Sequence, residues 1–322
     1  MKSAQVLFFA SLFFVSCGAN KNNIPQNSFA DTSLVHEVNV KRFLFDNTKS
    51  ETAGNADWVI DEDNNLAKRL PTPPQENINA LTPETYWTGA LSSWGIALVK
   101  QKQQVETLQE GGHITYGDSK NAQDLLHYDV FIIDEPNIRF SDNEKTAIVS
   151  FVQNGGGLFM IADHDHSDRN NDGWDSPAIW NDLMNNNPVQ KDPFGFSIYL
   201  TNISQRSSNI TADTNLIMQG PQGKVTALQF NNGTTITLTS PAAKGLFWMN
   251  NYPQNKIRAM AAYSTYGKGR IVVVGDSSPA DDGSGAKGNK LHDGWDAVGN
   301  SHSTFFINAS LWLAKEEVSK AD

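Results

Sequence analysis

Cysteine is nearly absent from this chain, with Cys17 the only one in 322 residues. No disulfide can close within one chain, and no cysteine is left to act as a nucleophile inside a folded domain. Basic runs are missing as well. Lysine and arginine total 25 against 35 aspartates and glutamates, for a net charge of −10. Phosphate backbones need a cationic face, so nucleic acid and anionic headgroups are excluded as partners, while neutral substrates and cations remain compatible. The apolar run at residues 6–15 is too short to span a bilayer.

That run belongs instead to a targeting segment at residues 1–17. Lys2 supplies the positive end, and Phe14-Val15-Ser16-Cys17 closes it like a lipobox. The segment resembles a bacterial lipoprotein signal, which implies that Cys17 is lipidated and anchors the chain to a membrane of the bacterial cell envelope, outside the cytoplasm. Residues 18–37 are polar and aperiodic and read as a flexible tether. Residues 38–317 suffice for a single α/β domain with a substantial core.

Chemistry concentrates in two stretches. Residues 163–175 hold five aspartates and two histidines directly after the apolar run 157–162. So many carboxylates need a partner, and a cation is the natural one. Asp168-x-Asn170-x-Asp172-Gly173 has the oxygen spacing of a calcium loop, although Ile179 stands where the bidentate Glu belongs. Asp163-His164-Asp165-His166 offers imidazoles, which suit zinc or another transition metal. The competing reading is a solvated loop whose Asp, Asn and Gly only make turns. The second stretch follows the apolar run 270–275 and contains Asp276, Ser277, His292 and His302. Asp-Gly-Trp-Asp occurs in both, at 172–175 and 293–296. Ligands of open parallel sheets bind beyond the carboxyl ends of strands, so the two stretches are expected to converge on one site.

Around them the periodicity predicts a first strand at 38–46, a helix from Thr82 to about residue 103 with Thr82 as cap, a strand at 105–108, a helix at 118–126 and a buried strand at 128–134. Pro71, Pro73 and Pro74 interrupt the chain. Ser141 and Glu144 form a capping box ahead of a helix that stops at Asn154-Gly-Gly-Gly157, and the following strand makes a βαβ unit. Residues 190–256 alternate with period two and read as a β-rich insertion. A hairpin around Tyr266-Gly-Lys-Gly269 and a last helix at 302–314 complete the pattern.

The capped helix, triple glycine and strand ending at a sharp turn over residues 141–163, with Tyr266-Gly-Lys-Gly-Arg270 and the apolar run 305–312, resemble the class I glutamine-amidotransferase-like superfamily, nearest its trehalose-utilisation-type branch. The likeness covers about 130 residues. It implies a flavodoxin-like three-layer α/β sandwich, mostly parallel, with a site at the turn after the strand that begins at Gly157. In amidotransferases that turn carries the nucleophilic cysteine; in the trehalose-utilisation branch a histidine commonly stands near it. Here it holds Asp163 and His164, which excludes glutaminase chemistry and leaves activity to be argued from the site.

The leading expectation is a divalent-metal-dependent hydrolase of a glycan or glycoside. Asp163, His164 and His302 are its catalytic candidates. His166, Asp168, Asn170, Asp172, Asp276 and His292 are the candidate metal ligands, for calcium or a zinc-like ion. Trp174, Trp295, Asp46 and Asn47 are candidates for substrate contact, the tryptophans because an indole face suits a sugar. Two alternatives stand beside it: a non-catalytic lipoprotein stabilised by calcium, and a serine esterase using Ser277 of Gly275-Asp276-Ser277. The esterase reading lacks the Asp-x-x-His that should follow.

Overall fold

Alternation along the central strands decides the layering. In the computed structural model, which describes residues 40–61, 75–285 and 290–315, β1 (Arg42–Asp46) sends Phe43 and Phe45 into one core and Leu44 into the other. After α1 (Ser92–Lys100), β2 (Gln104–Leu108) pairs with β1 in parallel. The next strand, β3 (Val130–Asp134), divides its side chains the same way, with Val130 and Ile132 on one side and Phe131 and Ile133 on the other. Then α2 (Asp142–Gln153) leads into β4 (Gly157–Ile161). A period of two on strands covered on both faces gives near-continuous apolar runs. Each fully buried side chain, such as Phe159, contributes about 1.5–3 kcal/mol.

Beyond β4 come α3 (Ser176–Asn186) and a run of strands. These are β5 (Phe196–Ser207), β6 (Asn209–Ile210), β7 (Gln219–Gly220), β8 (Gly223–Lys224), β9 (Leu228–Leu238) and β10 (Lys244–Trp248). The hairpin β11 (Ala259–Tyr266) and β12 (Gly269–Val274) precedes α4 (His302–Leu313). The main sheet runs β2-β1-β3-β4-β12-β11-β10-β6, parallel from β2 through β12 and antiparallel beyond. Long β5 and β9 pair with each other, and β9 touches β11. Helices α1 and α4 cover one face, and α2 and α3 the other, so the architecture is the three-layer α/β sandwich with a β-rich segment. Among the described residues no helix is long and apolar enough to cross a membrane.

The capping box is present: Ser141 Oγ accepts from the Glu144 N–H and the Glu144 carboxylate accepts from the Ser141 N–H. Of two expected helices, the one from Thr82 to about residue 103 forms only from Ser92, as α1, and the one at 118–126 does not form. The segment before Ser92 gives its backbone donors away, Ala90 N–H to Asp57 O and Leu91 N–H to Val59 O, so only a 3-10 turn forms at Glu84–Tyr86. Gly89 sits against that partner segment, where a Cβ would meet Val59 O at 2.3 Å. Thr82 accepts from Asn79 N–H instead of capping a helix. Residues 118–126 wrap around the Asp124 carboxylate, which accepts from the N–H groups of Gly117, Asp118 and Leu126, leaving a 3-10 turn at Leu125–His127. Helix α3 was not anticipated. Its signal is Asp175-Ser-Pro177, with Asp175 accepting from Ala178 N–H and proline in the first turn. The targeting segment, the tether and the proline break at 71–74 lie outside the described residues.

Candidate active-site cleft

Three neighbouring strands run out into aspartate at one edge of the sheet: β3 into Asp134, β4 into Asp163 and β12 into Asp276. Ile161 pairs with Asp134 on one side and Val274 on the other. Asp163 and Asp276 follow two residues later on adjacent strands, about 4.8 Å apart in spacing. Ala162 N–H donates to Val274 O at 2.9 Å, which carries the pairing toward that point. Ile161 and Val274 face the α1/α4 layer, so alternation turns Asp163 and Asp276 the same way.

A cleft of about 350 Å³ opens there. The first stretch contributes Asp163, His164 and Arg169; the second contributes Asp276, Ser277, Leu291 and His292. Ser204 of β5 and Asn231 and Asn232 of β9 form the remaining wall. The two stretches therefore share one site across more than a hundred residues of sequence.

Arg169 organises the acidic floor. Its Nη2 donates to Glu135 Oε2 and to Asp163 Oδ2, each at 3.3 Å, and its Nε also binds Glu135. Burial works to lower the guanidinium pKa, but Glu135 and Asp163 more than offset it and raise it overall. Glu135 is fully buried with a left-handed φ of 46°, a strained conformation of the kind that clusters at functional sites. Ser277 Oγ donates to Glu135 Oε2 at 3.0 Å.

The two central carboxyls have different surroundings. Asp276 accepts from Asn231 N–H at 2.5 Å and from Ser278 N–H and Oγ–H at 2.9 and 2.7 Å. Burial still pushes it up to about 7, against those hydrogen bonds. Asp163 stands well above the usual carboxylate range through burial, with Glu135 and Asp276 adding to the effect and Arg169 opposing it. His164 Nδ1 lies 2.6 Å from Asp165 O, so Nδ1–H donates there and Nε2 faces Asp163 Oδ2 at 3.6 Å. His292 is held toward its neutral form by burial and then by Arg169. Burial thus holds both carboxyls above the usual range, Asp276 at about 7, while Arg169 pulls against it at Asp163.

Several expected site residues lie elsewhere. Asp168 accepts from Asp172 N–H and Gly173 N–H, and Asp172 accepts from Trp174 N–H, so these carboxylates brace their own exposed turn, and neither lines the cleft. Asn170 donates to Asn137 O and to Asp172. His166 is exposed and pairs with Asp165 at 3.2 Å. His302 is buried, with one ring nitrogen accepting from Gln229 N–H and the other 2.6 Å from Gly294 O, so it braces the fold and does not line the cleft. Trp295 is 2% exposed, packs on Phe306 and donates to Glu84. Trp174 lies under the Arg139 guanidinium at 3.9 Å. Asp46 and Asn47 are sealed from solvent, Asp46 accepting from Thr48, so neither reaches a substrate in the cleft. Among the described residues no three His, Cys, Asp or Glu side chains form a set that could hold a metal ion. The esterase reading also loses support, because Ser277 Oγ–H donates its hydrogen bond to Glu135 and not to a histidine.

Sequence reasoning passed over Asp134, Glu135 and the organising role of Arg169. Asp134-Glu135 ends a buried strand, the same signal that marked Asp163 and Asp276. Asn231 and Asn232 reach the cleft only through β5–β9 pairing, which no local pattern announces.

No family model and no curated protein sequence matches the chain. Solved structures match at low identity. The mmIFT52 N-terminal domain aligns with 75% of this chain and 98% of its own, at 14% identity and a TM-score of 0.48. A ThuA-like protein from Parabacteroides merdae covers 88% and 93%, at 10% identity and 0.44. The β-galactosidase from Rahnella sp. R3 covers 86% of this chain and 32% of its own, at 14% and 0.41. At these scores none informs the family of the chain or the chemistry of the cleft.

Proposed function

We propose that the chain is a hydrolase of a glycan or glycoside, with Asp163 as general acid and Asp276 as general base. The observation that supports it is the meeting of these two carboxyls, from separate stretches, on adjacent strand ends in one polar cleft. Asp163, held above the usual carboxylate range by burial, gives its proton to the leaving glycosidic oxygen. Asp276, poised near neutrality, takes a proton from the water that attacks the anomeric carbon. The hemiacetal and the alcohol leave, and the two carboxyls exchange one proton through solvent to reset. Asn231, Asn232, Ser204 and His164 supply hydrogen-bonding groups for sugar hydroxyls, and the net charge of −10 accords with a neutral substrate. No step is assigned to a metal.

The test is hydrolysis of a panel of chromogenic glycosides and polysaccharides by wild type, Asp163→Asn and Asp276→Asn. The reading expects turnover by wild type and a loss of at least about 10²-fold in kcat for each variant. Binding of oligosaccharide without turnover by wild type would replace it with the binding-lipoprotein reading. Lipidation of Cys17 is proposed alongside, holding the cleft domain at the cell envelope. Cys17→Ser should then move the protein from the membrane fraction to the soluble one, and retention in the membrane fraction would refute it.

A further inference from the structure

A second polar point lies on the same face of the sheet, at the ends of β1 and β3, and the acid–base reading makes no use of it. The β1–β3 register runs from Phe43↔Val130 to Phe45↔Ile132. Continued by two residues, it sets Asn47 opposite Asp134. Phe45 and Ile132 face the α1/α4 core, so alternation turns Asn47 and Asp134 to that side together. Both are sealed, at 1% and 2% exposure. Both are also unsatisfied: neither polar atom of the Asn47 amide and neither oxygen of the Asp134 carboxyl has a hydrogen-bond partner. Buried polar side chains in native proteins almost always have one.

Charge is out of balance there too. Burial holds the Asp134 carboxyl well above the usual range, Glu135, Asp276 and Asp281 add to that, and Arg169 opposes them. A carboxylate only accepts, and an amide beside it can turn its oxygen the same way, so the two groups together suit a positive centre. The described side chains place no three His, Cys, Asp or Glu around one point. An ion held here takes one carboxylate and one amide oxygen, and completes its shell with backbone oxygens and water. That donor set fits a hard cation and not zinc.

We propose that Asn47 and Asp134 hold a hydrated hard divalent cation, Mg2+ or Ca2+, beside the cleft at the acidic edge of the sheet. The ion neutralises the strand ends on which Asp163 and Asp276 stand. It lies apart from the exposed turn at 168–173. The proposal is independent of the catalytic reading, because its readout is thermal.

The full chain, stripped with chelator and dialysed, is melted in about 5 mM MgCl2, in about 5 mM CaCl2 and in NaCl of matched ionic strength. The expected result is a rise of about 3 °C or more with at least one divalent ion and none with NaCl. Asp134→Asn should abolish the rise and, without divalent ion, melt no lower than wild type, because the carboxyl it replaces is buried with no partner. Asp168→Asn should keep the full rise. No rise in wild type, a rise that survives Asp134→Asn, or one lost in Asp168→Asn overturns the proposal. Should Asp134→Asn not fold, Asn47→Asp decides. A second carboxylate should lower the half-maximal ion concentration at least about tenfold, and an unchanged or higher midpoint overturns the assignment.

Discussion

After β4 the chain turns outward, and after β12 it turns inward, although both loops start from an aspartate at the same sheet edge and both contain Asp-Gly-Trp-Asp. In the first, Asp172 caps its own turn, Trp174 lies under Arg139 and Asp175 starts α3. In the second, Gly294 presses on Ser278, its carbonyl meets His302, and Trp295 enters the core. One tetrapeptide therefore serves as a surface turn and as a buried brace. What it packs against decides which, and only the strand-end aspartates Asp163 and Asp276 keep equivalent positions.

The glycines give the largest contrast. A Cβ at Gly294 would lie 2.1 Å from Ser278 O, while one at Gly173, with φ +92°, meets nothing within 4 Å. Gly294→Ala should destabilise by about 3 kcal/mol or more, and Gly173→Ala by about 1 kcal/mol from backbone strain alone. Urea unfolding of the two variants measures the difference, and equal losses would break the comparison.

Titration separates the inward loop's groups next. Burial pushes His302 down to about 4. Its folded pKa lies below the unfolded value of about 6.5, so the folded state binds fewer protons, and its contribution is complete above pH 6.5 and lost as pH falls toward 4. Asp276 and Asp281 are each pushed up to about 7 by burial. Their contribution runs the other way, present below about pH 4 and lost as pH rises through about 7. Relative to wild type, His302→Gln should flatten the acid-side fall in stability by about 2–3 kcal/mol between pH 6.5 and 4. Asp276→Asn should flatten the opposite slope between pH 4 and 7. Unfolding free energies across that range would show both, and parallel curves for all three proteins would refute the assignment.

The smallest effects belong to the outward loop. Asp168→Asn removes one of two hydrogen bonds to exposed backbone groups and should cost less than about 1 kcal/mol. His166→Ala should change stability by no more than about 0.5 kcal/mol. A loss above about 2 kcal/mol from either, read in the same urea experiment, would show that this loop is as load-sharing as the other.

What the sequence disclosed was mostly local. Ser141 with Glu144 and the glycines at 155–157 bracket α2 and β4 through neighbours in the chain, and strands ending in Asp163 and Asp276 located the cleft. Long-range contacts were hidden. Nothing near Trp295 shows that Glu84 accepts a hydrogen bond from its indole N–H, and nothing near His302 shows that Gln229 and Gly294 occupy both ring nitrogens. The helical pattern after Thr82 holds from Ser92 to Lys100, and its first part is lost to backbone bonds with Asp57 and Val59. Carboxylate spacing at 168–172 fits a calcium loop and an Asx-turn series equally well, and the hydrogen bonds that Asp168 accepts from Asp172 and Gly173 belong to both.

The central claim, that Asp163 and Asp276 act as one acid–base centre, is tested most directly by the pH dependence of kcat/KM for a cleaved glycoside, with wild type beside Asp276→Asn. The account predicts an acidic limb near pH 7 in wild type, where Asp276 gives up its proton. In Asp276→Asn the acidic limb should vanish and kcat drop by at least about 10²-fold. An acidic limb that persists unchanged in that variant would contradict the account.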